Sequence, residues 1–185
     1  MSDSQPKLLA NGLPDVHRYI TTTNASGQAI LESSPPSTSI WQKIGTVANI
    51  FLAYTTRTFP VSLSTSNDIT SYSSDLSSPP GLTVSNGTVL RYVDMAPNSI
   101  SPMHKTASID YGVVLEGTIE LVLDSGETKV MRRGDVCVQR ATMHAWRNVT
   151  EGDGWGRMLF VLVTAAKEEG VGEELGGMED VKSSD

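Results

Sequence analysis

Residues 103–117 read MHKTASIDYGVVLEG, and residues 134–148 read GDVCVQRATMHAWRN. Between and around them run short segments in which extended-favouring residues recur: Asp110–Leu115, Thr118–Leu123, Thr128–Met131, Val136–Gln139 and His144–Asn148. They are punctuated by Glu116-Gly117, Asp124-Ser125-Gly126 and Arg133-Gly134-Asp135, where Gly, Asn and Asp tolerate the positive φ of tight turns. Thr88–Asp94 precedes this block and Arg157–Ala165 follows it with the same character. Regularly spaced short strands with such turns predict an antiparallel sandwich or barrel.

Two of the three histidines in the chain, His104 and His144, fall in these two stretches together with Asp110, all at or near strand ends. Side chains alternate between faces along a strand. His104, Thr106 and Asp110 share one parity, and His144 shares a face with Trp146. A carboxylate facing a barrel interior needs a partner or a cation. Two imidazoles and one carboxylate suit Fe, Mn, Zn or Ni and leave coordination positions open. Such an ion either activates O₂ or acts as a Lewis acid. A metal-free alternative uses Asp110 as general base, its pKa raised by burial, with His104 or His144 as acid.

Other side chains bear on a substrate. Trp146 is either a pocket wall or plain core. Arg91 lies in a strand pattern and either points into the cavity or marks an exposed face. Arg140, beside the His144 turn, is a candidate for holding a carboxylate or phenolate, or forms a surface salt bridge. Lys105 and Tyr111 have the opposite parity to the three candidate ligands and point away from them. The single cysteine, Cys137, excludes an internal disulfide and reads as a packed strand residue.

The chain has 185 residues and a net charge of −7, with no basic patch beyond Arg132-Arg133, which argues against nucleic acid and anionic membranes as partners. No apolar run reaches transmembrane length, the N-terminus lacks a secretory core, and a cytosolic protein is expected. The N-x-S/T matches at Asn24, Asn86 and Asn148 carry little weight without a secretion signal. Residues 1–12 read as a loose tail; Val16–Thr23 and Gln28–Glu32 read as a hairpin around the Asn24–Gly27 turn; Val47–Thr56 reads as a strand. The Ser-rich stretch 62–81 reads as a long polar connection, either a flap over the site or a surface loop, and no strong amphipathic helix is apparent before Lys167. The acidic, Gly-interrupted residues 167–185 read as a mobile tail or a short helix. The resulting organisation is a β-rich N-terminal extension over 1–82, a core over 83–166 and a tail over 167–185.

The spacing of these residues resembles the cupin superfamily of double-stranded β-helix (jelly-roll) barrels, whose first motif is G-x5-H-x-H-x3,4-E-x6-G. Asn98 takes the first Gly position, His104 the first His, Thr106 the second His, Asp110 the Glu and Gly117 the last Gly. In the second motif, G-x5-P-x-G-x2-H-x3-N, Gly134 opens, Arg140 replaces the Pro, His144 follows one residue early and Asn148 closes. The wording of both stretches is similar to single-domain cupins of filamentous fungi associated with polyketide and other secondary-metabolite pathways.

That resemblance implies an all-β cupin barrel, a homodimer, and a small organic substrate of polyketide-like or aromatic type. It also implies a metal-dependent tailoring reaction of oxidoreductase type, with dehydratase or decarboxylase chemistry as the lyase alternative. His104, Asp110 and His144 would hold a divalent ion, Fe(II) before Zn, Mn or Ni. Thr106 cannot replace an imidazole, and Asp110 is a methylene shorter than Glu, so either an extra position opens on the ion or the site works without metal. A non-catalytic ligand-binding barrel is the third reading.

Overall fold

The computed structural model describes residues 8–166. It contains eleven strands and one helix: β1 (Thr21–Thr23), β2 (Ala29–Leu31), β3 (Trp41–Ile44), β4 (Ala48–Thr56), α1 (Asn67–Ser77), β5 (Thr88–Met95), β6 (Ser108–Glu116), β7 (Thr118–Leu123), β8 (Thr128–Arg132), β9 (Val136–Arg140), β10 (His144–Asn148) and β11 (Gly156–Thr164). Six strands form one sheet in the order β3-β4-β5-β11-β6-β9, and three form a second in the order β10-β7-β8. The paired strands of both sheets are antiparallel. Two antiparallel sheets closing over a common interior make the antiparallel barrel that the strand-and-turn pattern predicts, of the jelly-roll type that the cupin resemblance implies.

The turn residues carry the connections. Asn98 adopts φ 58 at the position where the motif has glycine, a conformation that Asn tolerates better than other side chains. Gly117, at φ 77, links β6 to β7, and a Cβ there would lie 2.9 Å from the Trp155 carbonyl oxygen. Asn148, fully buried at the end of β10, donates to the carbonyls of Met95, Ala96 and Gly154 and accepts from Thr150, tying three loops to one side chain.

The strand expected over Val47–Thr56 forms as β4 and extends the large sheet. β4 pairs with β5 from Ala48↔Met95 to Thr56↔Thr88, with an irregularity between Leu52 and Tyr54, and β3 adds outside it. The described part of the N-terminal tail is not loose. Leu9 exchanges backbone–side-chain hydrogen bonds with Asn49, Asn11 reaches the Asp94 carboxylate, and Arg157 donates to the Pro14 carbonyl at 2.6 Å. The hairpin β1–β2 forms as predicted around its Asn24–Gly27 turn. The expected C-terminal tail over 167–185 lies outside the described residues.

The polar stretch 62–81 differs from its reading as a loop: it contains α1. Ile69, Tyr72 and Leu76 recur at helical spacing, and Tyr72 is fully buried, its hydroxyl donating to the Leu52 carbonyl at 2.9 Å. Asp75 is also buried, between Thr55 and Arg57. Ser and Asp compete locally for backbone hydrogen bonds and disguise such a helix, which forms because its one apolar stripe packs on β4.

Two apolar clusters fill the interior. One joins Met95, Val114, Ile119, Met131, Trp146 and Met158; the other joins Leu52, Tyr72, Val84, Val89 and Leu162 under α1. Phe160 packs against both. No helix of the described residues is long and apolar enough to cross a membrane.

Candidate active site

A cavity of about 150 Å³ opens between the two sheets. A preformed apolar space of about that size accepts a benzene-sized molecule. Its walls follow from strand alternation. On the large sheet, Arg91 of β5 lies opposite Phe160 of β11, and Asp110 of β6 lies opposite Leu162, so all four side chains share one face. On the small sheet, His144 and Trp146 of β10 face them, two residues apart. His104 and Thr106 enter from the segment before β6. The parity grouping of His104, Thr106 and Asp110 therefore holds, although only Asp110 lies within a strand.

His104 and His144 form an isolated antiparallel bridge, and their ring centroids are 4.4 Å apart. Each Nδ1 lies at hydrogen-bond distance from a carbonyl two residues back, Pro102 at 2.8 Å and Thr142 at 2.9 Å. A carbonyl can only accept, so Nδ1 carries the proton in both rings and Nε2 presents a lone pair when the ring is neutral. Among the described residues neither Nε2 has a hydrogen-bond partner. Burial is the chief cause that pushes the His144 imidazole down to about 4, with His104 adding to it and the Thr142 carbonyl opposing.

Asp110 is buried, and both of its oxygens are engaged. Thr106 Oγ1 donates to Oδ2 at 2.9 Å, and the Ser108 hydroxyl donates to Oδ1. Desolvation raises its pKa, against these two hydroxyls and the nearby His104 and Arg91. The position where a second imidazole would stand in the motif is therefore not vacant in function: Thr106 orients the carboxyl.

The expected three-ligand centre is met only in part. The two imidazoles present the tautomer and the free Nε2 atoms that a cation requires. The carboxylate oxygens point their acceptor capacity at hydroxyls instead, and among the described residues no group of three or more His, Cys, Asp or Glu could hold a metal ion. The donor set as arranged does not fit the predicted centre.

Trp146 is buried and serves both roles proposed for it: it belongs to the core cluster and lines the cavity, its ring edge-on to His144 and Phe160 at 5.7 and 5.6 Å. Arg91 lines the cavity. Arg140 does not. It ends β9 exposed, paired with Ile109, because alternation turns its neighbour Gln139 inward. Its expected role at the substrate is corrected on that ground. Ser108 escaped the sequence reading, although it shares the parity of Thr106 and Asp110; so did Ile44 and Ile50 on β3 and β4, which complete the apolar wall. Burial and Asp110 both raise the Cys137 thiol, which fits a packed residue better than a nucleophile.

The family described as Cupin domain matches residues 91–161. The chain is 50% identical to "Phomopsin biosynthesis cluster protein C'" of Diaporthe leptostromiformis over 162 residues, covering 88% of this chain and 85% of that protein. It is 39% identical to "Oryzines biosynthesis cluster protein J" of Aspergillus oryzae, covering 88% and 90%. It is 42% identical to the "Cupin-domain-containing oxidoreductase virC" of Hypocrea virens, covering 83% and 78%.

Proposed function

Because the chain belongs to the cupin-domain family, alongside proteins of fungal biosynthetic clusters, we propose that it is a tailoring enzyme of secondary metabolism that moves protons on a small organic molecule held in the barrel. The reaction class is a lyase or isomerase step. The observation that carries this reading is the carboxyl–imidazole arrangement. Burial pushes the Asp110 carboxyl up and the His144 imidazole down, so an acid and a base with converging proton affinities share one mostly apolar cavity.

The roles follow from the hydrogen bonds. Neutral His144 donates through Nδ1 to a fixed carbonyl, so its Nε2 can only accept, and His104 makes the same Nδ1 bond. One of them takes a proton from the carbon beside a carbonyl. Asp110, held by Ser108 and Thr106, donates to the carbonyl oxygen or to a departing hydroxyl. In a dehydration the C–H proton ends on the imidazole, the Asp110 proton leaves in water, and solvent returns both groups to their starting states. The lowered His144 imidazole favours the base role over the acid role considered for it. Deuterium uptake from D₂O into an enolisable 2-oxo acid, by protein freed of divalent ions, tests this reading.

The free Nε2 pair supports a second reading, an oxidoreductase step at a divalent ion, in keeping with the name of the Hypocrea virens relative. His104 and His144 would hold the ion, Fe(II) by the sequence expectation, and it would supply Lewis acidity or a site for O₂. Asp110 would have to move towards the two imidazoles to join them, since as placed the three form no metal-holding group. Stoichiometric iron that is lost in His104→Ala, with oxygen uptake on turnover, distinguishes this reading from the first.

A further inference from the structure

We infer that Arg91 is a docking site for an anionic oxygen group, and that the molecule bound in the barrel is a small carboxylate with an apolar body. The inference rests on the reading of the cavity as a substrate site and names what that site recognises. Arg91 is only 5% exposed and lines the cavity. Its Nη2 donates to the carbonyls of Gly81 and Leu82, both at 2.9 Å, which fixes the plane of the guanidinium. Those two bonds use two of its five N–H donors. Its Nε is buried without any hydrogen-bond partner. A buried donor left unpaired is costly, and in a native protein it calls for an explanation.

The other buried carboxylates have their own arginines. Asp75 pairs with Arg57, and Asp94 pairs with Arg157. Arg91 has no salt bridge among the described residues. The one carboxyl near enough to feel its charge, Asp110, spends its oxygens on Thr106 and Ser108. Burial lowers Arg91 to about 10, so it remains a cation at neutral pH. A fixed cation with unspent donors on Nε and Nη1, at the wall of an otherwise apolar cavity, is matched by a carboxylate oxygen that accepts a charge-assisted N–H bond. Ile50, Val93, Trp146, Phe160 and Leu162 would cover the apolar body. The role foreseen for Arg140 thus passes to Arg91, which stands inside the barrel instead of on its rim.

The experiment is binding of benzoate and its neutral isostere benzamide to the full chain at neutral pH, followed by tryptophan fluorescence and calorimetry. Wild type binds benzoate in preference to benzamide. Arg91→Gln weakens benzoate by about tenfold or more while benzamide is unaffected, as expected for a lost charge-assisted pair. Arg91→Lys, which keeps the charge and loses the fixed guanidinium donors, falls between wild type and Arg91→Gln and decides the matter if Arg91→Gln does not fold. Benzoate bound no better than benzamide by wild type, no saturable benzoate binding, or folded Arg91 variants that bind benzoate as wild type does, each overturns the inference. Intact, Arg91-dependent benzoate binding with no deuterium exchange leaves it standing and sinks the proton-transfer reading alone.

Discussion

His104 and His144 bind each other backbone to backbone: the amide of His104 donates to the carbonyl of His144 at 2.8 Å, and the amide of His144 returns the bond at 2.9 Å. This reciprocal pair closes the loop before β6 onto β10 and sets two imidazoles side by side against Asp110. The site is thus assembled by strand pairing, and its side chains inherit their positions from the sheet. Asp110→Asn keeps the size of the carboxyl; its one oxygen accepts from one of the two hydroxyls, and its NH2 donates to the other, which turns to accept. Its melting temperature stays close to wild type, while proton exchange on the enolisable probe falls by about 10²–10⁴-fold, the usual share of a general acid. Thermal melts and NMR-detected exchange check the two halves.

Ser108→Ala removes a hydroxyl that stabilises the charged carboxyl. The Asp110 pKa, already raised by burial, moves further up, and the basic side of any pH–rate profile shifts to higher pH. A ¹³C titration of the labelled carboxyl gives the shift directly; an unchanged value would remove Ser108 from the site.

His144 makes stability fall with acid. Its folded pKa, about 4, lies below the unfolded value near 6.5, so the unfolded chain binds the extra proton between those limits. Its part in folding stability is whole above about pH 6.5, is lost as pH falls towards 4, and amounts to about 3 kcal/mol over that window. Denaturant unfolding of wild type and His144→Gln across pH 4–7.5 isolates it: the difference between the two should change over this interval. A constant difference would mean an ordinary, solvated imidazole.

Asp94 and Arg157 are both buried and paired by two hydrogen bonds, at 2.5 and 2.7 Å, while Arg157 also caps Pro14 and lies over the Trp41 ring. Arg157→Met leaves a buried carboxylate without its cation, with only Asn11 donating to it, and should cost about 3–5 kcal/mol at neutral pH. The loss shrinks as Asp94 protonates in acid, because burial already raises that carboxyl. Urea unfolding at two pH values measures both; a loss independent of pH would point to packing alone.

Gly117→Ala places a Cβ against the Trp155 carbonyl in a backbone at φ 77. About 2 kcal/mol of stability should go, read as a lower denaturant midpoint, since few side chains tolerate that conformation.

Much of this was legible in the sequence, because strand alternation and turn residues act locally. The seven strands from β5 to β11 were readable within two residues at either end, and so was the cavity parity of Thr106 and Asp110. Trp41–Ile44 was not. Four residues with Gln42 and Lys43 at the centre carry no alternation, and the strand forms because β4 offers it an edge. Helix α1 was hidden by its serines and aspartates, and only the fit of Tyr72 beneath β4 reveals it. Arg140 and Arg91 show the same limit. Both sit in strands beside the site, and which one turns inward depends on a register that spacing alone does not give.

The central claim is that Asp110 and the imidazole pair transfer protons without help from a metal. The direct measurement is deuterium incorporation beside the carbonyl of 4-phenyl-2-oxobutanoate in D₂O, using protein stripped of divalent ions. The account predicts exchange above buffer for wild type, and its loss in Asp110→Asn and in the His104→Gln, His144→Gln double variant. Exchange that is absent until Fe(II) is added, or that persists in Asp110→Asn, would contradict it.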